Sequence, residues 1–124
     1  MTTQKGFYSF FPNQTWTPSA NLYETSTAYL VCIDLAGVEK LKIDVEVVER
    51  RLTIKGQRAV PPCPIPEAEA SPPPDQRPRV RLHLMEIDHG PFARQVELPE
   101  NVERDKITAR YTDGMLWIEL PKKL

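Results

Sequence analysis

The sequence predicts an all-β fold, an immunoglobulin-like antiparallel β-sandwich of about seven or eight strands. Apolar and polar residues alternate in several short runs, and turn-forming residues separate these runs. No window keeps apolar residues at helical spacing for three turns. The chain has 124 residues, which is enough for one domain core and too short for two.

The first group of strands is expected within residues 20–58. One run places apolar side chains at every second position and ends at Ala36-Gly37; its members are Tyr29, Val31, Ile33 and Leu35. A second run alternates with charged residues, as a half-buried strand does; its apolar members are Leu41, Ile43, Val45 and Val47. After the polar turn Glu49-Arg50-Arg51, Leu52 and Ile54 resume the pattern, which Gly56 closes.

A second group of strands is expected within residues 79–122. Alternating apolar residues occupy Val80, Leu82 and Leu84, then Phe92, Val96 and Leu98, and then Ile107, Ala109 and Tyr111. His89-Gly90-Pro91 predicts a break between the first two runs. Asp113-Gly114 predicts a hairpin turn, because both residues tolerate positive φ. In the strand that follows, Leu116, Ile118 and Leu120 point opposite to Met115, Trp117 and Glu119, and Trp117 is expected to be an exposed or interface ring.

Two segments fit no strand pattern. Residues 1–18 are expected to form a flexible arm whose aromatic side chains seek a partner surface; these are Phe7, Tyr8, Phe10, Phe11 and Trp16. Residues 59–78 hold eight of the 13 prolines of the chain, which excludes a central strand. This stretch is either a variable loop or a proline-rich motif for a recognition domain.

Composition argues against several classes of protein. The net charge of −1 combines 16 basic with 17 acidic residues, which gives no electrostatic reason to expect nucleic acid or membrane as a partner. No apolar run of about 18 residues could cross a bilayer, and the first residues do not resemble a secretory signal. Cys32 and Cys63 are a poor disulfide framework. We therefore expect a cytoplasmic protein.

The residues that catalysis or metal binding would need are scattered. His83 and His89 are the only histidines, and Cys63 lies 20 residues before His83 in the proline-rich stretch. No group converges on a metal site, and no third residue orients a Cys–His pair. No glycine-rich phosphate loop is present. We expect no enzyme activity, metal or cofactor.

Five motifs, in order and spacing, resemble the small heat-shock protein family in its bacterial and plant members. The signature is an alanine, a turn glycine five residues later, a leucine two further on and a closing Leu-Pro-Lys; it matches Ala109, Gly114, Leu116 and Leu120-Pro121-Lys122. The other four are Trp16-x-Pro18 with Tyr23-Glu24-Thr25, Asp34-Leu35-Ala36-Gly37-Val38, Leu52 to Arg58, and Gly90-Pro91-Phe92-Ala93-Arg94 followed by Leu98-Pro99. The resemblance covers about residues 16–122.

The resemblance implies an α-crystallin domain over residues 19–122, with the stretch 59–78 as a loop inside it. Ala36 replaces a proline that is usual in the family, and the proline content of 59–78 is unusual. The sequence ends at Leu124, so residues 123–124 lack the family's Ile-x-Ile/Val anchor. We therefore expect dimers, with at most weak higher association.

The resemblance also implies two binding surfaces. Two strands are expected to flank a groove that accepts extended apolar segments. The groove residues are Ile43, Val45, Val47, Ile107 and Ala109, although these side chains could simply fill the core. A dimer interface is expected at Leu82, Leu84, Glu86 and Arg94, through exchange of segment 79–87 between subunits. Arg94 could equally form an ion pair within its own subunit, and Glu86 could be solvated surface.

The function that follows is an ATP-independent holdase, which binds apolar surface on partly unfolded proteins and prevents their aggregation. The aromatic arm and the groove would supply the two client contacts. A co-chaperone sandwich of the p23 type, which recruits one specific partner, is the alternative. A carbohydrate-binding sandwich would be expected to have a signal peptide and exposed aromatic residues clustered on a sheet face, and the sequence indicates neither.

Overall fold

The computed structural model describes residues 15–64 and 80–123 and confirms the all-β sandwich. Seven strands are present in this part of the chain. They are β1 (Ala20–Glu24), β2 (Ala28–Asp34), β3 (Ile43–Val48), β4 (Arg51–Arg58), β5 (Gly90–Glu97), β6 (Thr108–Thr112) and β7 (Met115–Pro121). Two short 3-10 turns, Lys40–Lys42 and Arg104–Lys106, precede β3 and β6.

The strands form two antiparallel sheets. The first has four strands in the order β1-β2-β7-β6, and the second has three in the order β3-β4-β5. In the first sheet Val31 pairs with Ile118, and in the second Ile54 lies opposite both Val45 and Arg94. Since paired residues share a face, this register directs the apolar positions of every strand toward the other sheet.

The core lies between the sheets and has the composition that the alternation predicts. Its fully buried members come from both sheets and include Tyr29, Val31, Ile33, Leu52, Ile54, Ile118 and Leu120. Tight turns join the strands, and two of them contain a residue other than glycine with positive φ. Asp113 and Gly114 have φ of 53° and 78°, the mirror-image turn that suits a two-residue hairpin, as the sequence predicted. Glu49, at the β3–β4 turn, has φ of 56°.

The expectation that residues 1–18 form one arm is wrong at its C-terminal end. Trp16 is only 3% exposed and lies 5.3 Å from the Phe92 ring, centroid to centroid. Its indole Nε1 donates a 3.1 Å hydrogen bond to the Gly90 carbonyl, and the Arg58 guanidinium lies 4.2 Å above its ring. Trp16 is therefore a core residue and unavailable to a client, because burying a large apolar ring stabilises the sandwich more than exposing it would.

Two further expectations differ from the structure. Residues 80–89 form no strand within the chain, although Val80, Leu82 and Leu84 alternate as a strand would. Leu41 belongs to the 3-10 turn before β3 and is 96% exposed instead of starting that strand. Alternation shows that a segment can form a strand, but a strand also needs a neighbouring strand with which it pairs.

The segment before β1 determines which sheet edges are neighbours. Trp16 N donates to the Pro91 carbonyl and Ala93 N donates to the Trp16 carbonyl, so this segment runs along the edge of β5. It then enters β1 at Ala20, the edge strand of the other sheet. The β1 and β5 edges thus lie on one side of the sandwich, and the β3 and β6 edges lie on the opposite side.

Candidate functional site

The side bounded by β3 and β6 is an open gap between two sheet edges, and we call it the groove. Val45 and Val47 lie opposite Ile54 and Leu52 of β4, whose side chains are fully buried. Ala109 lies opposite the buried Ile118 of β7. Paired residues share a face, so the apolar side chains of both edge strands point into the groove.

The five predicted groove residues divide into two sets. Ile43, Val47 and Ile107 are partly buried and pack against the core, so for these three the core-filling interpretation also holds. Val45 is 38% exposed and Ala109 is exposed, so apolar surface remains open along both edges. Ala109, the smallest of the five, lies opposite the buried Ile118.

Tyr111 closes one end of the groove wall. Its hydroxyl donates a 2.6 Å hydrogen bond to the Leu35 carbonyl, in the segment that leaves β2. Its ring is partly buried against the core. This bond fixes β6 relative to β2 across the intervening β7, and so holds the wall that carries Ala109 in place.

The opposite side, bounded by β1 and β5, contains the guanidinium group of Arg94. Arg94 lies between the buried Phe92 and Val96 on the inner face of β5, and its buried Nε atom has no hydrogen-bond partner among the described residues. Leu22, which sequence reasoning missed, faces the same gap because it pairs with the buried Val31, and it is half-exposed. A buried guanidinium nitrogen is costly without an acceptor, which points to one supplied from outside the described chain.

The other predicted dimer residues lie on the segment that precedes β5. Leu82 and Glu86 are exposed, and Leu84 is 73% exposed. Arg58 anchors the end of this segment, since its guanidinium donates two hydrogen bonds to the Asp88 carbonyl. Glu86 lines a cleft of about 530 Å³ together with Trp16 and Arg58.

A charged cluster secures the chain end near β1. Lys122 Nζ lies 2.6 Å from Glu24 Oε2 and 3.7 Å from Glu100 Oε1, and Tyr29 donates a 2.9 Å hydrogen bond to Glu100. The hydrogen bond with Glu24 raises the pKa of Lys122 above its ordinary value. Burial first, and then the bond to Glu100, raises the pKa of Tyr29.

The potential metal ligands, the thiols and the helices of residues 15–64 and 80–123 were each located in the structure. No three His, Cys, Asp or Glu side chains of this part converge as metal ligands do. Cys32 is half-buried and Cys63 exposed, and both are free thiols. Within the same ranges there is no helix with the length and hydropathy to cross a membrane. The arm residues Phe7, Tyr8, Phe10 and Phe11 lie outside the described residues.

A small antiparallel sandwich of four and three strands, with an apolar groove between two of its edges, defines an α-crystallin domain. Comparison with known proteins agrees with this assignment. The family model described as Hsp20/alpha crystallin family matches residues 21–124. The chain belongs to this family.

Named relatives and solved structures support the assignment. Small heat shock protein C2 of Rickettsia felis is 31% identical over 116 residues, covering 94% of this chain and 67% of the relative. The 17.8 kDa class I heat shock protein of Solanum lycopersicum is 34% identical, covering 81% and 57%. Heat shock protein 16.0 of Schizosaccharomyces pombe has the same fold, with a TM-score of 0.67 at 24% identity over 86% of this chain and 87% of that one. The chain thus spans about 57% to 67% of the length of these two sequence relatives.

Proposed function

We propose that this protein is an ATP-independent holdase, which binds apolar segments of partly unfolded proteins and keeps them from aggregating. The observation that carries the proposal is the open groove between β3 and β6, where Val45 and Ala109 expose apolar surface beside two strand edges that no described strand covers. Such a groove offers an extended segment backbone hydrogen bonds along an edge and pockets for alternate side chains. Membership of the Hsp20/alpha crystallin family supports the same function.

Weak contacts suffice for this task. Each apolar side chain that a client buries contributes roughly 1.5–3 kcal/mol, so a few such side chains give reversible capture. No nucleotide is needed, since release follows when the client refolds and buries its own apolar residues. Because the contacts are non-directional, the groove should accept many sequences.

A pair of adjacent substitutions tests the groove. Ala109→Glu places a carboxylate in the groove, where an apolar client would have to desolvate it. We expect about ten times more of this variant than of the wild type to be needed to suppress aggregation of several unrelated heated proteins. Thr108→Glu, on the opposite face of the same edge strand, is the matched control and should retain wild-type activity. Equal activity of both variants would contradict the groove as a client site. If the wild-type protein suppresses the aggregation of only one of the heated proteins, the p23-type alternative is favoured.

The aromatic arm is the second proposed client contact. Four aromatic residues lie within positions 7–11, ahead of the first described residue. Since Trp16 is part of the core, a truncation that removes residues 1–14 should leave the sandwich folded. We expect this truncation to weaken aggregation suppression. Unchanged suppression would assign the activity to the groove alone.

We also propose a dimer in which segment 79–87 of each subunit pairs with β1 of the other. β1 has only β2 as a neighbour among the described strands, and the described residues of the segment, all exposed except the partly buried Met85, form no strand in their own chain. A strand added to β1 would cover Leu22 and bring an acceptor, such as Glu86 or a carbonyl group, to the Nε atom of Arg94. This arrangement resolves both unsatisfied features of the β1–β5 side.

Sedimentation velocity over a dilution series tests the dimer. Leu22→Ala should raise the dimer dissociation constant by roughly tenfold, because a two-fold dimer loses the contact twice. Val48→Ala, a half-exposed valine at the far end of β3, is the control and should leave the constant unchanged. A wild-type protein that stays monomeric at high concentration would contradict the exchange.

A further inference from the structure

The outer faces of the two sheets differ in character. The outer face of the three-stranded sheet is mainly charged and polar, with residues such as Asp44, Lys55, Arg51 and Glu97. The outer face of the four-stranded sheet instead presents an aromatic pair. Tyr23 of β1 and Trp117 of β7 stack across β2, with ring centroids 6.0 Å apart and ring planes 24° apart. Tyr23 is nevertheless 47% exposed, so the pair is incompletely covered.

The position of Tyr23 limits what could cover it. Tyr23 lies on the outermost strand of its sheet, and Asn21 Nδ2 donates a 3.1 Å hydrogen bond to its hydroxyl. A new strand beside β1 would therefore place alternate side chains next to the Tyr23 ring. The proposed exchange supplies such a strand.

Strand parity determines which side chains those would be. If Leu82, Leu84 and Glu86 face the gap that contains Leu22 and Arg94, the residues that immediately precede each of them face outward. Those residues are Arg81, His83 and Met85. A shift of register by two residues exchanges one member of this set for another but keeps the set on the same face.

We propose that the outward side chains Arg81, His83 and Met85 of one subunit pack on the Tyr23–Trp117 pair of the other. All three side-chain types bind aromatic faces, by cation–π contact for arginine, ring stacking for histidine and sulfur–aromatic contact for methionine. The surface that covers the aromatic pair is thus supplied by a second copy of this chain. This inference rests on the proposed dimer and adds a second contact to it, on the other face of the exchanged strand.

A double-mutant cycle tests the contact. Tyr23→Leu removes the ring but keeps an apolar side chain at a half-exposed position, and the triple variant R81T/H83T/M85T removes its proposed partners but keeps a strand-compatible segment. We expect each variant to raise the dimer dissociation constant by roughly fivefold to tenfold, counting two contacts per dimer. Because both variants remove the same contact, the dimer dissociation constant of the combined variant should be no higher than that of the single variant with the larger effect. Circular dichroism confirms that each variant is folded.

The possible outcomes separate this contact from the dimer itself. Effects that multiply in the combined variant would overturn the inference, since the two sets would then act independently. Weakening by Leu22→Ala with no effect of Tyr23→Leu would keep the exchanged dimer and overturn the outer contact. No effect of any of these variants would overturn both. If the effect of Tyr23→Leu disappears when residues 1–14 are deleted, the arm covers the rings and the inference fails.

Discussion

Substituting Gly56 of β4 tests how closely the ring of Phe92 and the backbone before β3 approach this strand. Gly56 lies between Ile43 of β3 and Phe92 of β5, on the face that points to the core. A Cβ atom at this position would be 2.6 Å from Phe92 Cζ and closer still to the Lys42 carbonyl oxygen. An ordinary carbon contact needs about 3.5–4.0 Å, so the ring and the backbone would both have to move by about 1 Å.

The expected cost follows from that displacement. Overpacking a core typically costs 1–3 kcal/mol, and Gly56→Ala should lie at about 3 kcal/mol because a backbone atom, which relaxes poorly, is one of the two obstacles. The corresponding fall in melting temperature is about 10 °C or more. The ring of Phe92 also packs on Trp16, so the displacement would be transmitted to the N-terminal side of the core.

Urea unfolding followed by tryptophan fluorescence measures this cost, since Trp16 is buried in the native state. Gly37→Ala is the matched control. Gly37 has φ of 77°, but no atom lies within 4 Å of the position of a new Cβ atom. Its cost should be only the backbone strain of about 1–2 kcal/mol. If Gly56→Ala is no more destabilising than Gly37→Ala, the close approach inferred at Gly56 is wrong.

Two further predictions concern residues that fasten the ends of the sandwich. Trp16→Ala should reduce the free energy of unfolding by about 3–5 kcal/mol, whereas Phe11→Ala should leave it nearly unchanged. Equal effects of the two variants in urea unfolding would show that Trp16 is not a core residue. The pKa of Lys122 is raised by Glu24, so the stabilisation from this pair is fully present below the ordinary lysine value of 10.5 and is lost as pH rises through the raised value. Stability should therefore decline above about pH 10.5, and Lys122→Met should flatten that decline; an unchanged alkaline profile in the variant would refute the assignment.

The sheets were predictable because each buried position is recorded in the alternation of the sequence. Ile54 and Ile118 occupy the positions that a two-residue period assigns to the core. The hairpin at Asp113-Gly114 was predictable for a different reason, since few residue pairs tolerate positive φ at both positions. Local patterns of this kind need no knowledge of the partner strand.

The errors arose where a side chain or segment depends on distant partners. Trp16 looked like one aromatic residue among several in the arm, and only its contacts with Phe92, Gly90 and Arg58 place it in the core. The stacking of Tyr23 on Trp117 was also missed, because it joins strands that are not adjacent in sequence. The sheet face carries one exposed aromatic residue, Tyr23, and it stacks on Trp117, which is only partly buried. The assignments of client and dimer residues stay predictions, because a single chain contains neither partner.

The burial of Trp16 fixes the root of the arm on the β1–β5 side, away from the groove. Fully extended, the 14 residues before Thr15 span at most about 50 Å. A client segment seated between β3 and β6 and touched by the arm of the same subunit would therefore be gripped from two opposite sides. The tether converts the second contact into an intramolecular one, at an effective concentration on the order of millimolar. Long unfolded segments that can bend around the sandwich would be bound more tightly than short peptides, which contact either the groove or the arm but not both at once.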